Sequence, residues 1–134
     1  MVFSNRSFAV LILVQSCRGE VPLVRDFRKP KPHFFKLPGG KGEIGETPKQ
    51  TAWRELREET GIEEDMDLFK ILKTENRGDH DLYLFGLDLE GLPELAETGT
   101  EGEEVIISSL NEIRKMGGDF FLAHFQLLRE ANII

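Results

Sequence analysis

Glu55, Glu58 and Glu59 stand at i, i+3 and i+4. On a helix those positions converge, and like charges at that spacing destabilise an exposed helix by roughly 0.2 to 0.5 kcal/mol per pair. A hard divalent cation turns such repulsion into attraction. Mg2+ prefers oxygen ligands and commonly joins protein carboxylates to substrate phosphates, so the chemistry open to this set is metal-assisted reaction at phosphorus. The competing reading is a solvated face in which Arg54 and Arg57 offset part of the repulsion. Upstream, Gly39-Gly40-Lys41-Gly42 is a backbone that a ligand can approach closely. Lys41 can meet a phosphate there, and Gly39 can offer a carbonyl to a metal. Taken alone, the same glycines read as a tight turn.

Neither bland reading explains the joint spacing. Gly40, Glu46, Arg54, Glu55, Leu56, Glu58, Glu59, Gly61 and Ile62 fit G-x5-E-x7-R-E-U-x-E-E-x-G-U, where U is aliphatic. Seven of these letters are fixed, and at about one in fifteen apiece a chance match at a given register is of order 10^-8. The pattern resembles the signature of the Nudix hydrolases at every position. Leu37-Pro38-Gly39-Gly40-Lys41 is similar to the usual entry to that motif. Glu104-Val105-Ile106 through Leu110-Asn111-Glu112-Ile113 is similar to the family's late strand and short helix.

The resemblance implies an α/β fold, a Nudix-type α/β/α sandwich with a mixed β-sheet between helices. It also implies hydrolysis of a nucleoside diphosphate linked to another moiety, with water attacking phosphorus and Mg2+ or Mn2+ assisting. On that basis Glu55, Glu58 and Glu59 are the expected metal ligands, with the Gly39 carbonyl beside them. Gly40 and Lys41 are expected at the substrate. Arg54 is expected to orient a carboxylate, Glu46 or Glu58, because a guanidinium suits bidentate pairing. For the general base, Glu55 stands against a glutamate just before the late strand, Glu103 or Glu104. Glu104 is read either as base or extra metal ligand, or as a surface acid.

The elements that must position these groups are legible in outline. Ser7 to Ser16 and Val21 to Arg25 read as two strands, the first buried. Arg6 and Val14-Gln15-Ser16-Cys17 loosely imitate a lipoprotein export signal, but removing that run would delete a core strand. Phe34 to Leu37 reads as a third short strand, ended by Pro38-Gly39-Gly40. A helix is predicted over Pro48 to Thr60, with Thr47 as N-cap, Gln50 completing a capping box and Gly61 as the stop. Its Ala52 and Leu56 share the face that should pack on a sheet. Met66 to Thr74 and Leu82 to Leu89 read as a strand pair joined through residues 76–80. Glu90 to Gly102 reads as an acidic loop, Val105 to Ser108 as a strand and Leu110 to Met116 as a helix. Asp119 is expected to cap a final helix in which Phe121, Phe125 and Leu128 share a face. This order predicts a mixed sheet covered by helices on both faces.

Composition sets the outer limits. The 134 residues carry a formal charge of -7 and one cysteine, Cys17. They read as one domain, 1–134, without a disulfide framework or a Cys-based zinc finger. An acidic balance argues against bulk nucleic-acid binding, and no apolar run approaches the ~20 residues of a spanning helix. Six bases between Arg25 and Lys41 face ten acids between Gly78 and Ile113, so any phosphate must be attracted locally. His33, His80 and His124 lack metal-ligand spacing and none is assigned to catalysis. Phe34, Phe35, Tyr83 and Phe85 read first as packing residues, with stacking on a base as the other reading. The expected setting is the cytoplasm, with a nucleotide diphosphate-type small molecule as partner and a homodimer by family resemblance. The alternatives are a catalytically silent Nudix-fold nucleotide sensor and an acidic interaction module; the latter leaves the glycine, arginine and capping pattern unexplained.

Overall fold

The computed structural model describes residues 6–134. Strand β1 (Ser7–Ser16) shows why the chain must form three layers. Its Val10, Ile12 and Val14 point one way and Leu11 and Leu13 the other, and all are buried. A strand apolar on both faces requires cover on both.

One cover is α1 (Pro48–Thr60), whose Ala52 and Leu56 pack with Val10, Ile12 and Val14 on that side. The other side packs Leu11 and Leu13 against Ile113 of α2 (Leu110–Met116) and Leu127 and Leu128 of α3 (Leu122–Glu130). Strand β1 pairs antiparallel with β3 (Gly39–Lys41) and parallel with β5 (His80–Leu89), and β5 pairs antiparallel with β4 (Lys70–Asn76). The mixed sheet thus runs β3-β1-β5-β4, and a second sheet joins β2 (Val21–Arg25) to β6 (Glu104–Ser108) antiparallel. This is the α/β/α sandwich expected from the sequence. Among the described residues no helix is long and apolar enough to cross a membrane.

Three local expectations are corrected. Phe34 to Leu37 is not a strand: Phe35 and Lys36 make single bridges, to Phe120 and Val24 respectively. The strand lies a few residues later, at Gly39–Lys41, where a Cβ on Gly39 would lie 2.1 Å from the Val10 carbonyl oxygen. Glycine is thus what lets β3 approach β1, rather than a stop signal. Met66 to Leu68 is a single 3-10 turn, so β4 begins only at Lys70, and the hairpin is tighter than expected. Gly78 takes a positive φ of 89°, and its N–H donates to Asn76 Oδ1. Asp119 does not cap α3. Its carbonyl accepts from Phe35 N–H, it sits in a 3-10 turn (Gly117–Asp119), and the helix starts after Phe121 without a side-chain cap. In consequence Leu127 and Leu128 form the buried face, while Phe121 is exposed.

Candidate active site

The capping box expected at the start of α1 is formed. Thr47 accepts from Gln50 N–H, and Gln50 accepts from Thr47 N–H. At the other end Gly61, at φ 81°, closes the helix on Arg57. The following acidic loop is tied to that last turn, Thr100 N–H donating to the Glu58 carbonyl and Ala96 N–H to the Thr60 carbonyl. These bonds satisfy carbonyls that a helix end leaves free. They also bring the loop's acids to the carboxylates of α1.

Glu55, Glu58 and Glu59 meet the rest of the site differently. Glu59 is 8% exposed and accepts from Gly39 N–H at 2.8 Å. Burial, with Glu55 and Glu103 nearby, pushes its carboxyl up to about 8, against the pull of the Gly39 bond and Lys36. Glu55 is raised as well, chiefly by burial, with Arg54 acting against the rise. Arg54 is the hub: its Nε and Nη2 grip Glu46 at 2.7 and 3.0 Å, and Nη1 reaches Glu55 at 2.8 Å and Glu58 at 3.2 Å. That bidentate grip, with donation from Thr51 and Glu43, holds the Glu46 carboxyl down to about 2. Gly40 lies against this cluster, because a Cβ there would come within 2.6 Å of the Glu55 carboxylate.

The two glutamates before the late strand part company. Glu104 pairs with Arg25 across the β2–β6 ladder at 3.0 Å, half-exposed. Glu103 is 4% exposed, and its Oε1 is buried with no hydrogen-bond partner among the described residues. The structure therefore draws Glu103, not Glu104, into the charge around Glu59. Cross-strand register was the signal available in sequence: Arg25 closes β2 opposite Glu104, and a period of two sends the neighbouring residue the other way.

Among the described residues, no three Asp, Glu, His or Cys side chains sit together closely enough to hold a metal ion. Arg54 engages Glu55 and Glu58, and the Gly39 amide engages Glu59. The donor chemistry still fits a hard cation. It is all oxygen, it includes the orphaned Glu103 Oε1, and burial disfavours its charge in the absence of a positive partner. Gly39 meets the acids through its N–H.

Residues 5–125 match the NUDIX domain family model. The chain belongs to the Nudix family. It is 46% identical over 54 residues to the ADP-ribose pyrophosphatase of Bacillus subtilis (strain 168), a stretch covering 40% of this chain and 29% of that protein. The chain therefore spans less than a third of that relative in the match. A bifunctional NMN adenylyltransferase/ADP ribose pyrophosphatase from Francisella tularensis, solved with AMP and a Mn ion, superposes with a TM-score of 0.76 at 24% identity. That superposition covers 98% of this chain and 43% of that one. A MutT protein from Methanosarcina mazei Go1 gives a TM-score of 0.69 at 23% identity, covering 93% and 91%.

Beside the glycine strand this Nudix domain has a recess of about 270 Å³. Gly40, Lys41, Leu11, Leu82, Lys36 and His124 are among its walls. Lys41, expected at the substrate, is exposed on this rim. Lys36 and His124 were not expected there; only the packing of α3 beside the chain before β3 joins them to Gly39 and Gly40. His80 lines the same recess, whereas His33 lines a neighbouring one.

Proposed function

We propose that this chain is a Mg2+-dependent pyrophosphohydrolase that splits the diphosphate linkage of a nucleoside diphosphate derivative, with water attacking phosphorus. The observation that carries the reading is the pair of buried carboxylates, Glu59 and Glu103, set beside the Gly39-Gly40 strand together with Glu55 and Glu58. Glu55, Glu58 and Glu59 would hold the metal. Bound there, Mg2+ supplies charge that screens the diphosphate and acidifies water. Arg54 orients Glu46, Glu55 and Glu58, and Lys41 and Lys36 offer positive charge to the phosphates from the recess. Of the two late glutamates, Glu103 takes over the role of proton acceptor considered for Glu104, being buried beside the cluster.

ADP-ribose is the first substrate to test, because a relative bears that activity in its name. Nucleoside triphosphates and dinucleoside polyphosphates complete the screen. Product identity is followed with Mg2+, with Mn2+ and with a chelator. The expected result is turnover of at least one compound with Mg2+ and none with chelator. The engagement of Glu55 and Glu58 by Arg54 favours a second reading, a nucleotide sensor that needs no metal. Tight metal-independent binding without turnover of any compound would establish that reading instead.

A further inference from the structure

The mixed sheet β3-β1-β5-β4 ends at β4 in an open edge. On one side β4 pairs with β5, and among the described residues no backbone hydrogen bond reaches its other side. Arg77 N–H donates to the His80 carbonyl. By the alternation of an antiparallel ladder, Lys73 and Glu75 then turn their backbone groups towards β5 as well, and Thr74 and Asn76 turn theirs outward. Beside this edge Met66, Leu68, Ile71 and Leu72 are all exposed. Unpaired backbone groups next to apolar side chains are a template for a further strand.

We propose that the occupant is a second copy of this chain, the two β4 strands pairing antiparallel about Thr74 to continue one sheet into the other. Charge selects both the partner and the register. A two-fold axis normal to the sheet pairs one residue with its own copy and sets the residues on either side of it against each other. Centred on Lys73 or on Glu75, that axis brings like charges face to face, which is unfavourable. Centred on Leu72 or on Asn76, the pairing runs into the irregularity between Ile71 and Lys73 or into the hairpin turn that follows β4. Centred on Thr74, it sets Lys73 against Glu75 of the second copy, twice, and joins the two Thr74 residues through their outward N–H and C=O. Lys73 and Glu75 lie two apart on one face and are both half-buried. A lysine and a bulge ordinarily guard an edge strand. With Glu75 two places on, this guard is complementary to itself in a single register. The glycine strand β3 and the acids it meets lie at the other edge of the sheet, so both sites stay open and turnover per chain does not depend on association.

Sedimentation velocity at low ionic strength, over about 1 to 300 μM protein, should show a reversible monomer–dimer equilibrium for the wild type; a monomer throughout overturns the proposal. Thr74→Pro removes an outward N–H and no bond to β5, and should weaken association by at least about thirtyfold. Lys73→Glu and Glu75→Lys each set like charges opposite one another and should each weaken it about tenfold. An equimolar mixture of those two variants restores opposite charges at both places and should associate within about threefold of the wild type. An unaltered dimer in Thr74→Pro, or a mixture no tighter than either variant alone, overturns the proposal. Because the proline variant can fail to fold, hydrogen exchange of the wild type is measured at both ends of the concentration range. The Thr74 amide should be protected only at the high end; equal protection at both ends overturns the assignment.

Discussion

Gly39 and Gly40 are adjacent, and a methyl group at each meets a different kind of atom. At Gly39 it would strike the Val10 carbonyl oxygen at 2.1 Å, a backbone atom in the central strand. At Gly40 it would strike the Glu55 carboxylate at 2.6 Å, the mobile end of a side chain. Gly39→Ala should therefore destabilise the fold by at least about 2 kcal/mol in urea unfolding. Gly40→Ala should keep stability within about 1 kcal/mol yet lower kcat/KM by roughly a hundredfold, through a displaced carboxylate. Equal losses of stability in the two variants would refute this division. The late glutamates offer a second contrast. Glu103→Gln should reduce kcat by about a hundredfold or more, whereas Glu104→Gln, altering a half-exposed pair with Arg25, should stay within about threefold. Stopped assays on a Mg2+-supported substrate distinguish them, and the reverse ranking would return Glu104 to the site.

At the scale of elements, α1 works because both its ends are fixed. The capping box sets the start and the acidic loop fastens the end, so the spacing of Glu55, Glu58 and Glu59 becomes a position in space. Thr47→Ala removes one half of the box and should lower stability by about 1 kcal/mol, read as a melting temperature roughly 4 °C lower. Activity at 25 °C should be nearly retained, since the carboxylates lie one or more turns away. Elements whose cause is local were legible in the sequence: α1 from its cap and glycine stop, and β1 and β2 from their apolar runs. Elements decided by a partner were not. Phe34 to Leu37 has strand propensity but lies where Val24 and Phe120 each take a single bridge, while Gly39–Lys41 has little propensity and pairs with β1 because its two glycines carry no side chain. The acids of the motif could be identified by spacing. Lys36 and His124 could not, because their meeting with Gly40 depends on how α3 packs on the sheet.

Across the whole molecule these local charges combine into a pH dependence in which shifts of opposite sign meet. His124 is held neutral in the fold, down to about 3 against an ordinary 6.5. The unfolded chain therefore binds a proton that the native state refuses, and stability present above pH 6.5 is lost as the pH falls. Asp26, gripped by Arg28, and Glu46, gripped by Arg54, are both lowered to about 2, from 3.8 and 4.5. For them too the unfolded state takes up protons first, and their contribution is lost as pH falls below those ordinary values. These three act in the same direction, whereas Glu59, raised to about 8 from 4.5, keeps a proton in the fold that the unfolded chain gives up, so its contribution is lost as pH rises from 4.5 to 8. Between pH 6.5 and 4.5 the contributions of His124 and Glu59, each with a slope approaching about 1.4 kcal/mol per pH unit, oppose each other and stability should be nearly flat, with a decline below about pH 4.5 as Glu46 joins. Urea unfolding of the metal-free protein at a series of pH values measures this directly. In His124→Asn stability should instead rise as the pH falls from 6.5 to 4.5, because Glu59 is then unopposed, while the decline below 4.5 persists. Profiles of wild type and variant that coincide over that range would mean that the imidazole accepts its proton in the folded state as it does in the unfolded one.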